Sequence, residues 1–143
     1  MKPRTRARSL ALQVLYEVDI ANHPPADIYK LRLEETPLRD DLSDFARQII
    51  FGVLPMKSIL DEIIAKFAPE WPLDQIAAID RNILRMALWE FAVYHDTPIK
   101  VVINEAVELA KQFGSDSAPR FINGVLGALA DHQHEIQQTI RQS

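Results

Sequence analysis

Residues 76–94, IAAIDRNILRMALWEFAVY, decide the fold of this chain. Their apolar side chains recur every three or four residues, which is the spacing that places them on one face of a helix. The stripe consists of Ile76, Ile79, Ile83, Ala87, Phe91 and Tyr94, widened by Leu84 and Leu88. The spacing predicts a helix from about Asp74 to Tyr94, and its strongly apolar character predicts that this helix forms the centre of the core.

Helical periodicity continues on both sides of this segment, and strand-like alternation is absent. Breaks rich in proline and turn-forming residues separate the apolar stripes at His23–Pro25, Thr36–Asp41, Pro55 and Pro69–Pro72. Such clusters mark turns and loops between helices. We therefore predict an all-α fold of about seven helices in two small packed helical bundles, with the halves at about 1–69 and 70–143.

Several local signals predict where helices begin and end. In Thr97–Pro98 a hydroxyl can cap the first amides, and proline suits the first helical position. Ser115–Ser117 is expected to cap the last helix in the same way, and Gly114 can end the preceding helix in the left-handed conformation. Gly124 and Gly127 lie inside the last helix at a cost in stability, so we expect a closely packed neighbouring helix there.

The composition is that of an ordinary globular domain. The chain has 143 residues, of which 48% are hydrophobic and 25% charged, and it contains no cysteine. Without cysteine there is neither a disulfide framework nor a thiol nucleophile. The apolar run after the N-terminus is too short for a membrane span, so we predict a cytoplasmic protein with no membrane association. An Arg-rich transit peptide is the alternative interpretation of this segment.

The charge distribution indicates a polyanionic partner. Residues 1–8, MKPRTRAR, carry four cations and no acid precedes Glu17, although the chain has a net charge of -4. A cationic arm on an acidic body favours RNA or DNA, because Lys and Arg release counterions from phosphates. Arg4, Arg6 and Arg8 do not share one helical face, so we expect the arm to wrap a strand. A solvated, frayed terminus is the alternative.

Two further groups of residues have chemistry suited to RNA. Gln13 and Tyr16 point away from the apolar stripe of the first helix, where an aromatic ring beside cations can stack on a base. At the start of the last helix, free amides attract phosphate and Arg120 adds charge. The alternative for both Tyr16 and Phe121 is an ordinary position in the core.

Asp80 interrupts the apolar stripe of the central helix. A carboxylate in such a position needs a partner, because burying an unpaired charge is costly. Three interpretations are open from the residues alone: an ion pair within the chain, a position at the edge of the stripe, or contact with a basic partner protein.

Catalytic chemistry has little support in the sequence. There is no Gly-rich phosphate loop, and the four histidines lack the helical spacing to carboxylates that a metal site requires. The carboxylate pairs Glu34–Glu35 and Asp40–Asp41 are interpreted as solvated surface, because acid catalysis needs a pocket that shifts a pKa. We predict that the protein is not an enzyme and uses no cofactor or metal.

Three stretches resemble the NusB family of transcription antitermination factors, and together they span nearly the whole chain. They are RTRARSLALQVLY at 4–16, IDRNILRMALWE at 79–90, and KVVINEAVELAKQFG at 100–114 running into RFINGVL at 120–126. The resemblance implies a single RNA-binding domain over 1–143, built from two subdomains of three-helix type. It also implies binding to boxA-type single-stranded RNA of ribosomal RNA leaders, together with the small-subunit ribosomal protein NusE, within the RNA polymerase antitermination complex.

The resemblance also implies roles for individual residues. Carried over by position, the RNA-contacting residues are Lys2, Arg4, Arg6, Arg8, Gln13, Tyr16, Ser117, Arg120 and Phe121. Asp80 falls on an acidic position that faces NusE. Some relatives carry an acid in place of Ser117, and some have an arm of consecutive arginines. Family members occur as monomers and as dimers, so the sequence does not decide whether this protein is a monomer or a homodimer.

Two other functions are compatible with the same features. NusB-like domains also form the N-terminal part of some ribosomal RNA cytosine-5 methyltransferases, but this chain ends at Ser143 and we expect no catalytic domain. The other alternative is a protein-binding helical adaptor with an inert N-terminus. Deleting residues 1–8 separates these functions, because an adaptor would keep all its activity.

Overall fold

The apolar stripes of the sequence form helices in a computed structural model, which describes residues 2–71 and 75–143. These residues contain no β-strand, and the predicted all-α fold is confirmed. Their α-helices are α1 (Pro3–Ala21), α2 (Pro25–Glu35), α3 (Asp40–Val53), α4 (Lys57–Phe67), α5 (Ala78–Trp89), α6 (Ile99–Phe113), α7 (Ala118–Ala130) and α8 (Gln133–Arg141).

The seven predicted helices correspond to α1–α7, and α8 is a short additional helix that the sequence did not predict. The one buried side chain of α8 is Ile136, which is fully enclosed. A single apolar anchor is a weak periodic signal, which explains why the sequence pattern did not predict this helix. No helix among the described residues has the length and apolar character needed to cross a membrane.

The first of two compact units is Met1–Pro55, which contains α1, α2 and α3. α1 packs against both other helices, and α2 also contacts α3. The buried face of α1 includes Leu12, Val14 and Leu15, as the periodicity predicted. These side chains form the core of the unit together with the buried face of α3.

The second unit is Met56–Ser143, and α5 lies at its centre. α5 contacts α4, α6 and α7, and every residue from Asn82 to Trp89 is buried. The predicted central helix is therefore present in this unit. The chain divides at Pro55, one helix before the predicted boundary near residue 69, because α4 packs on α5 and α7. Pro55 itself lies in a 3₁₀ turn between α3 and α4, which agrees with the break predicted there for a residue without an amide hydrogen.

A buried ion pair joins α4 to α5. The Nε and Nη2 atoms of Arg85 donate to the two carboxylate oxygens of Asp61 at 2.7 and 2.8 Å. Only 5% of the Arg85 side chain is exposed, so its charge depends on this partner. The two parallel bonds fix the position of α4 on α5.

The ends of α5 differ in detail from the prediction. Asp74 lies outside the described residues, and α5 begins at Ala78, after the non-α-helical residues 75–77. At its other end a π-helical turn, Glu90–Tyr94, extends the helix. His95 then adopts a left-handed conformation (φ 67°), and its amide donates to the Glu90 carbonyl at 2.9 Å. Of the loop predicted at Pro69–Pro72, Pro72 also lies outside the described residues.

Three predicted end signals are wrong. Thr97 does not cap α6, and its buried hydroxyl has no hydrogen-bond partner among the described residues. Ser117 occupies the N-cap position of α7 but has helical backbone angles and makes no side-chain cap. Gly114 is extended (φ -94°, ψ -178°) and not left-handed. These positions are determined by packing, which overrides the local preferences of the residues.

The glycines of the second unit also have different roles from those predicted. A Cβ atom at Gly114 would lie 2.6 Å from the Ala118 Cβ and 2.9 Å from the Ala110 carbonyl oxygen. A Cβ at Gly124 would make only ordinary contact with Trp71 at 3.8 Å, and one at Gly127 would have nothing within 4 Å. The close approach expected at Gly124 and Gly127 is therefore found at Gly114.

We predict opposite effects of two matched substitutions. Gly114→Ala should destabilise the protein by about 1–3 kcal/mol, because the added methyl group overlaps backbone and side-chain atoms. Gly127→Ala should stabilise it by about 0.5–1 kcal/mol, because alanine loses less backbone entropy in a helix. Urea unfolding followed by circular dichroism measures both. Equal effects of the two substitutions would contradict the packing described here.

Candidate nucleic-acid interface

The cationic N-terminus is helical and not a flexible arm. α1 begins at Pro3, whose fixed φ suits the first turn, so Arg4, Arg6 and Arg8 all belong to the helix. Lys2 precedes the first turn and is exposed. The expectation that the arm wraps a strand is wrong, because the segment continues the helix that packs on α2 and α3.

Arg4 and Arg8 lie over the ring of Phe45 on α3. Their guanidinium carbons are 4.2 and 5.2 Å from the ring centroid, within the range of a cation–π interaction. Arg8 is only 4% exposed, whereas Arg4 remains exposed. The prediction that Arg8 contacts RNA is therefore corrected: its charge is enclosed within the first unit and is not presented to a phosphate.

Arg6, Gln13 and Tyr16 lie on another face of α1, separated by spacings of seven and three residues. Arg6 is exposed, while Gln13 and Tyr16 are half-buried. Tyr16 is thus neither fully enclosed, as a core residue would be, nor fully exposed, as a free stacking platform would be. Tyr16 therefore remains partly accessible on the same face of α1 as the exposed Arg6.

Arg32 of α2 lies beside this face, and no local sequence feature indicated its position. Its Nη1 atom donates to the Gln13 side-chain oxygen at 2.8 Å, and its Nη2 atom lies 3.2 Å from a Glu17 carboxylate oxygen. His23 also bonds Glu17 at 3.0 Å. These bonds to His23 and Arg32 lower the pKa of Glu17. The acid therefore stays ionised, with its charge offset by Arg32.

We call these residues the first surface: Lys2, Arg4, Arg6, Gln13, Tyr16 and Arg32. It contains an amide, a half-exposed ring and four cations within one compact unit, and one of these cations, Arg32, is paired with Glu17. This combination can contact phosphates through the cations and a base through the ring.

The second surface consists of Ser117, Arg120 and Phe121 at the start of α7, in the other unit. Ser117 and Arg120 are exposed, and Phe121 is half-buried. The predicted free amides are largely used: Ala118 donates to the Ser115 carbonyl at 3.0 Å and Phe121 to the Ser117 carbonyl at 3.1 Å. Since Pro119 has no amide hydrogen, attraction of phosphate depends mainly on the Arg120 side chain.

The alternative for Phe121 was an ordinary core position, and its described ring contact is with Trp71. The two ring centroids lie 6.3 Å apart at an interplanar angle of 77°, which is an edge-to-face arrangement. Trp71 is itself half-buried. Sequence reasoning missed Trp71, because nothing local indicates that the loop after α4 returns to α7.

Asp80 lies near the start of α5, in the same unit as the second surface. It is 8% exposed, and its Oδ1 atom has no hydrogen-bond partner in the part of the chain that the structure describes. A Cβ at Gly114 would lie 3.3 Å from this oxygen. Burial raises the pKa of the Asp80 carboxyl group. Within residues 2–71 and 75–143 the structure therefore gives no support to an intramolecular ion pair at Asp80.

Comparisons with known proteins agree with this architecture. The sequence model of the NusB family matches residues 5–131. The transcription antitermination protein NusB of Dehalococcoides mccartyi is 47% identical over 127 residues, which cover 89% of each protein.

Solved structures are also similar. The structure of NusB from T. maritima matches with a TM-score of 0.82 and 31% identity, over 91% of this chain and 92% of that one. A chain in the crystal structure of antitermination factors NusB and NusE in complex with dsRNA matches with a TM-score of 0.81 and 28% identity. That match covers 90% of this chain and 96% of the other.

We predict that Asp80→Asn stabilises the protein at neutral pH. The pKa of Asp80 is raised in the folded state, so the buried charge opposes folding above that pKa and has no effect below the ordinary value of 3.8. The variant should unfold at a higher temperature than the parent at pH 7, and the difference should disappear as the pH falls towards 3.8. Thermal unfolding across this pH range measures it. A difference that does not change with pH would exclude the buried charge as its cause.

Proposed function

This chain belongs to the NusB family, and we propose that it binds boxA-type single-stranded RNA of ribosomal RNA leaders together with the ribosomal protein NusE. The function of the family is transcription antitermination, and the family is not enzymatic. The protein is accordingly an antitermination factor, and the prediction that it lacks catalytic activity is confirmed by its family. We further propose that it acts in the cytoplasm, as part of the RNA polymerase antitermination complex.

The observation that carries the RNA proposal is the first surface. Arg4 and Arg6 are exposed on the helix that presents Tyr16, and Arg32 lies beside Gln13. Cations that neutralise phosphates supply affinity, and an accessible ring stacks on a base. Acidic residues are otherwise in excess over basic ones in this chain, so the cluster of cations is a local feature and not an effect of composition.

A single strand suits these side chains better than a duplex. Bases in a duplex are stacked on each other, and the deep groove of an RNA helix is too narrow for side chains to read. Tyr16 on the first surface and Phe121 on the second can each stack only on an unpaired base. The related complex of NusB and NusE contains dsRNA, so a duplex of the same sequence is the informative competitor.

We propose that Asp80 contributes to the binding of NusE. Its unpartnered oxygen is a buried hydrogen-bond acceptor, and an unsatisfied acceptor costs about 1–3 kcal/mol. A basic side chain of a partner protein that reaches the small exposed part of Asp80 would offset the charge of the carboxylate. This role explains why a carboxylate that opposes folding is present in the apolar stripe of α5.

We predict that RNA affinity depends on salt through the first surface. If three or four phosphates are neutralised, log affinity should fall with a slope of roughly -2 to -3 per log unit of salt. Arg6→Gln should make the slope less steep by about 0.7, because one phosphate contact is lost. Tyr16→Ala should weaken binding by roughly 1–3 kcal/mol with little change in slope, because a stacked base carries no charge.

These effects are measured by titrating a labelled boxA-type RNA at several salt concentrations, with and without NusE. Light scattering of the free protein first establishes whether it is a monomer or a homodimer. Arg47→Gln is the matched control, because Arg47 is an exposed arginine on α3, outside the first surface. A flat salt response with intact NusE binding would support the helical adaptor instead.

We also predict that Asp80→Asn weakens binding to NusE by about tenfold, because the neutral amide cannot form an ion pair with a basic side chain. The charge reversal Asp80→Lys is the stronger perturbation, because it places a cation where the partner's basic side chain is expected. Isothermal titration of the folded variant with NusE measures the effect. An unchanged affinity for NusE would show that Asp80 does not contribute to this binding.

A further inference from the structure

The second surface continues beyond Phe121 to Trp71. The Trp71 ring meets the Phe121 ring edge to face, and its Cζ2 atom lies 3.8 Å from the position of a Cβ at Gly124. Both rings are half-buried, so each combines a fixed position with accessible area. The loop after α4 thus places a second aromatic ring beside α7.

One face of α7 carries all the other parts of this surface. Ser117, Arg120, Phe121 and Gly124 are spaced by three, four and seven residues along the helix, so their side chains point in similar directions. Arg120 is the only ionisable residue of α7. It is exposed and makes no ion pair within residues 2–71 and 75–143.

Gly124 lies where the Trp71 ring would otherwise be covered. It is exposed, and an alanine would fit there with ordinary contacts, so packing within the unit does not require glycine. Glycine in a helix costs about 0.5–1 kcal/mol relative to alanine. The missing side chain leaves the Cζ2 atom of the indole without a contact from a Cβ at this position.

We propose that Trp71 and Phe121 form a stacking site for one unpaired RNA base, with Arg120 contacting a neighbouring phosphate and Gly124 leaving the indole accessible. This inference rests on the proposed RNA-binding function and adds a residue and a contact to it. Aromatic rings stack on every base, and a ring held edge to face by its neighbour loses little freedom on binding.

Charge favours RNA over an apolar peptide as the occupant of this site. An apolar peptide that covered the two rings would also lie against Arg120, but it would carry no negative charge to pair with this arginine. A strand whose base stacks on the rings brings a phosphate within reach of Arg120. The exposed Asp116 near the start of α7 opposes this attraction, so stacking is expected to contribute more than charge.

The chain contains a fluorescent reporter for this site. Its two tryptophans are Trp71 and Trp89. Trp89 is 5% exposed and stacks on Tyr94 with ring centroids 5.4 Å apart, so RNA cannot stack on it. In Trp89→Phe the emission therefore comes from Trp71 alone, and stacking of a base should quench it.

The experiment titrates Trp89→Phe with a single-stranded boxA-type RNA in the presence of NusE, and follows Trp71 emission and the anisotropy of the labelled RNA together. Quenching should occur at the same RNA concentration as binding. The RNA annealed to its complement should not quench. In separate variants of the parent chain, Trp71→Ala should weaken RNA binding about tenfold, whereas Trp71→Phe should restore most of it.

The outcomes separate this inference from the function on which it rests. RNA binding without quenching, and with unchanged affinity of Trp71→Ala, would overturn the stacking site and leave the proposed function intact. Loss of NusE binding in Trp71→Ala, with RNA binding retained, would make the ring pair a protein contact and overturn the inference. Failure of every variant and of the parent to bind RNA would overturn both. If Trp71→Ala does not fold, the stacking site is tested by two other results. These are the quenching of Trp71 emission in Trp89→Phe and the RNA affinity of Trp71→Phe.

Discussion

The pairing of the buried Arg85 guanidinium with Asp61 is the interaction on which the second unit depends. A charge taken out of water costs several kcal/mol unless it is paired and hydrogen-bonded, and the two short bonds to Asp61 meet this requirement. The pair holds α4 on the central helix α5. The chain that leaves α4 passes Ala68, which is fully buried and accepts a bond from the Trp71 amide at 3.2 Å. The position of Trp71 beside α7 therefore follows from the position of α4.

The arginines of α1 show how one residue type is divided between stability and binding. Arg4 and Arg8 are one helical turn apart, so both reach the Phe45 ring, and Arg8 becomes enclosed. Arg6 lies on another face, with Gln13 and Tyr16, and stays exposed. The enclosed Arg8 contributes to the stability of the first unit, whereas the exposed Arg4 and Arg6 can reach a phosphate. The helical period of α1, and not the number of arginines, decides how many charges are available.

Asp80 and Gly124 both lower stability in ways that packing does not explain. The Asp80 carboxylate is buried without a bond to Oδ1, and burial raises its pKa. Gly124 leaves space that an alanine could fill. Proteins keep such locally unfavourable residues mainly at functional sites, where a bound partner satisfies or uses them. The two residues belong to different proposed contacts, Asp80 to NusE and Gly124 to RNA, within the same unit.

The sequence by itself determined helices α1–α7, the central position of α5 and the family, because helical periodicity and short motifs are local properties. It also predicted the exposed cations Arg4, Arg6 and Arg120 as candidates for RNA. Only the tertiary structure decided that Arg8 is enclosed, that Arg32 joins Gln13, that Gly114 and not Gly124 is a close-packed position, and that Trp71 meets Phe121. Three of these depend on contacts between residues far apart in the chain, and the fourth depends on how the turn between α6 and α7 places Ala118 against Gly114. Such contacts follow from how helices pack, and no local pattern of residues encodes them.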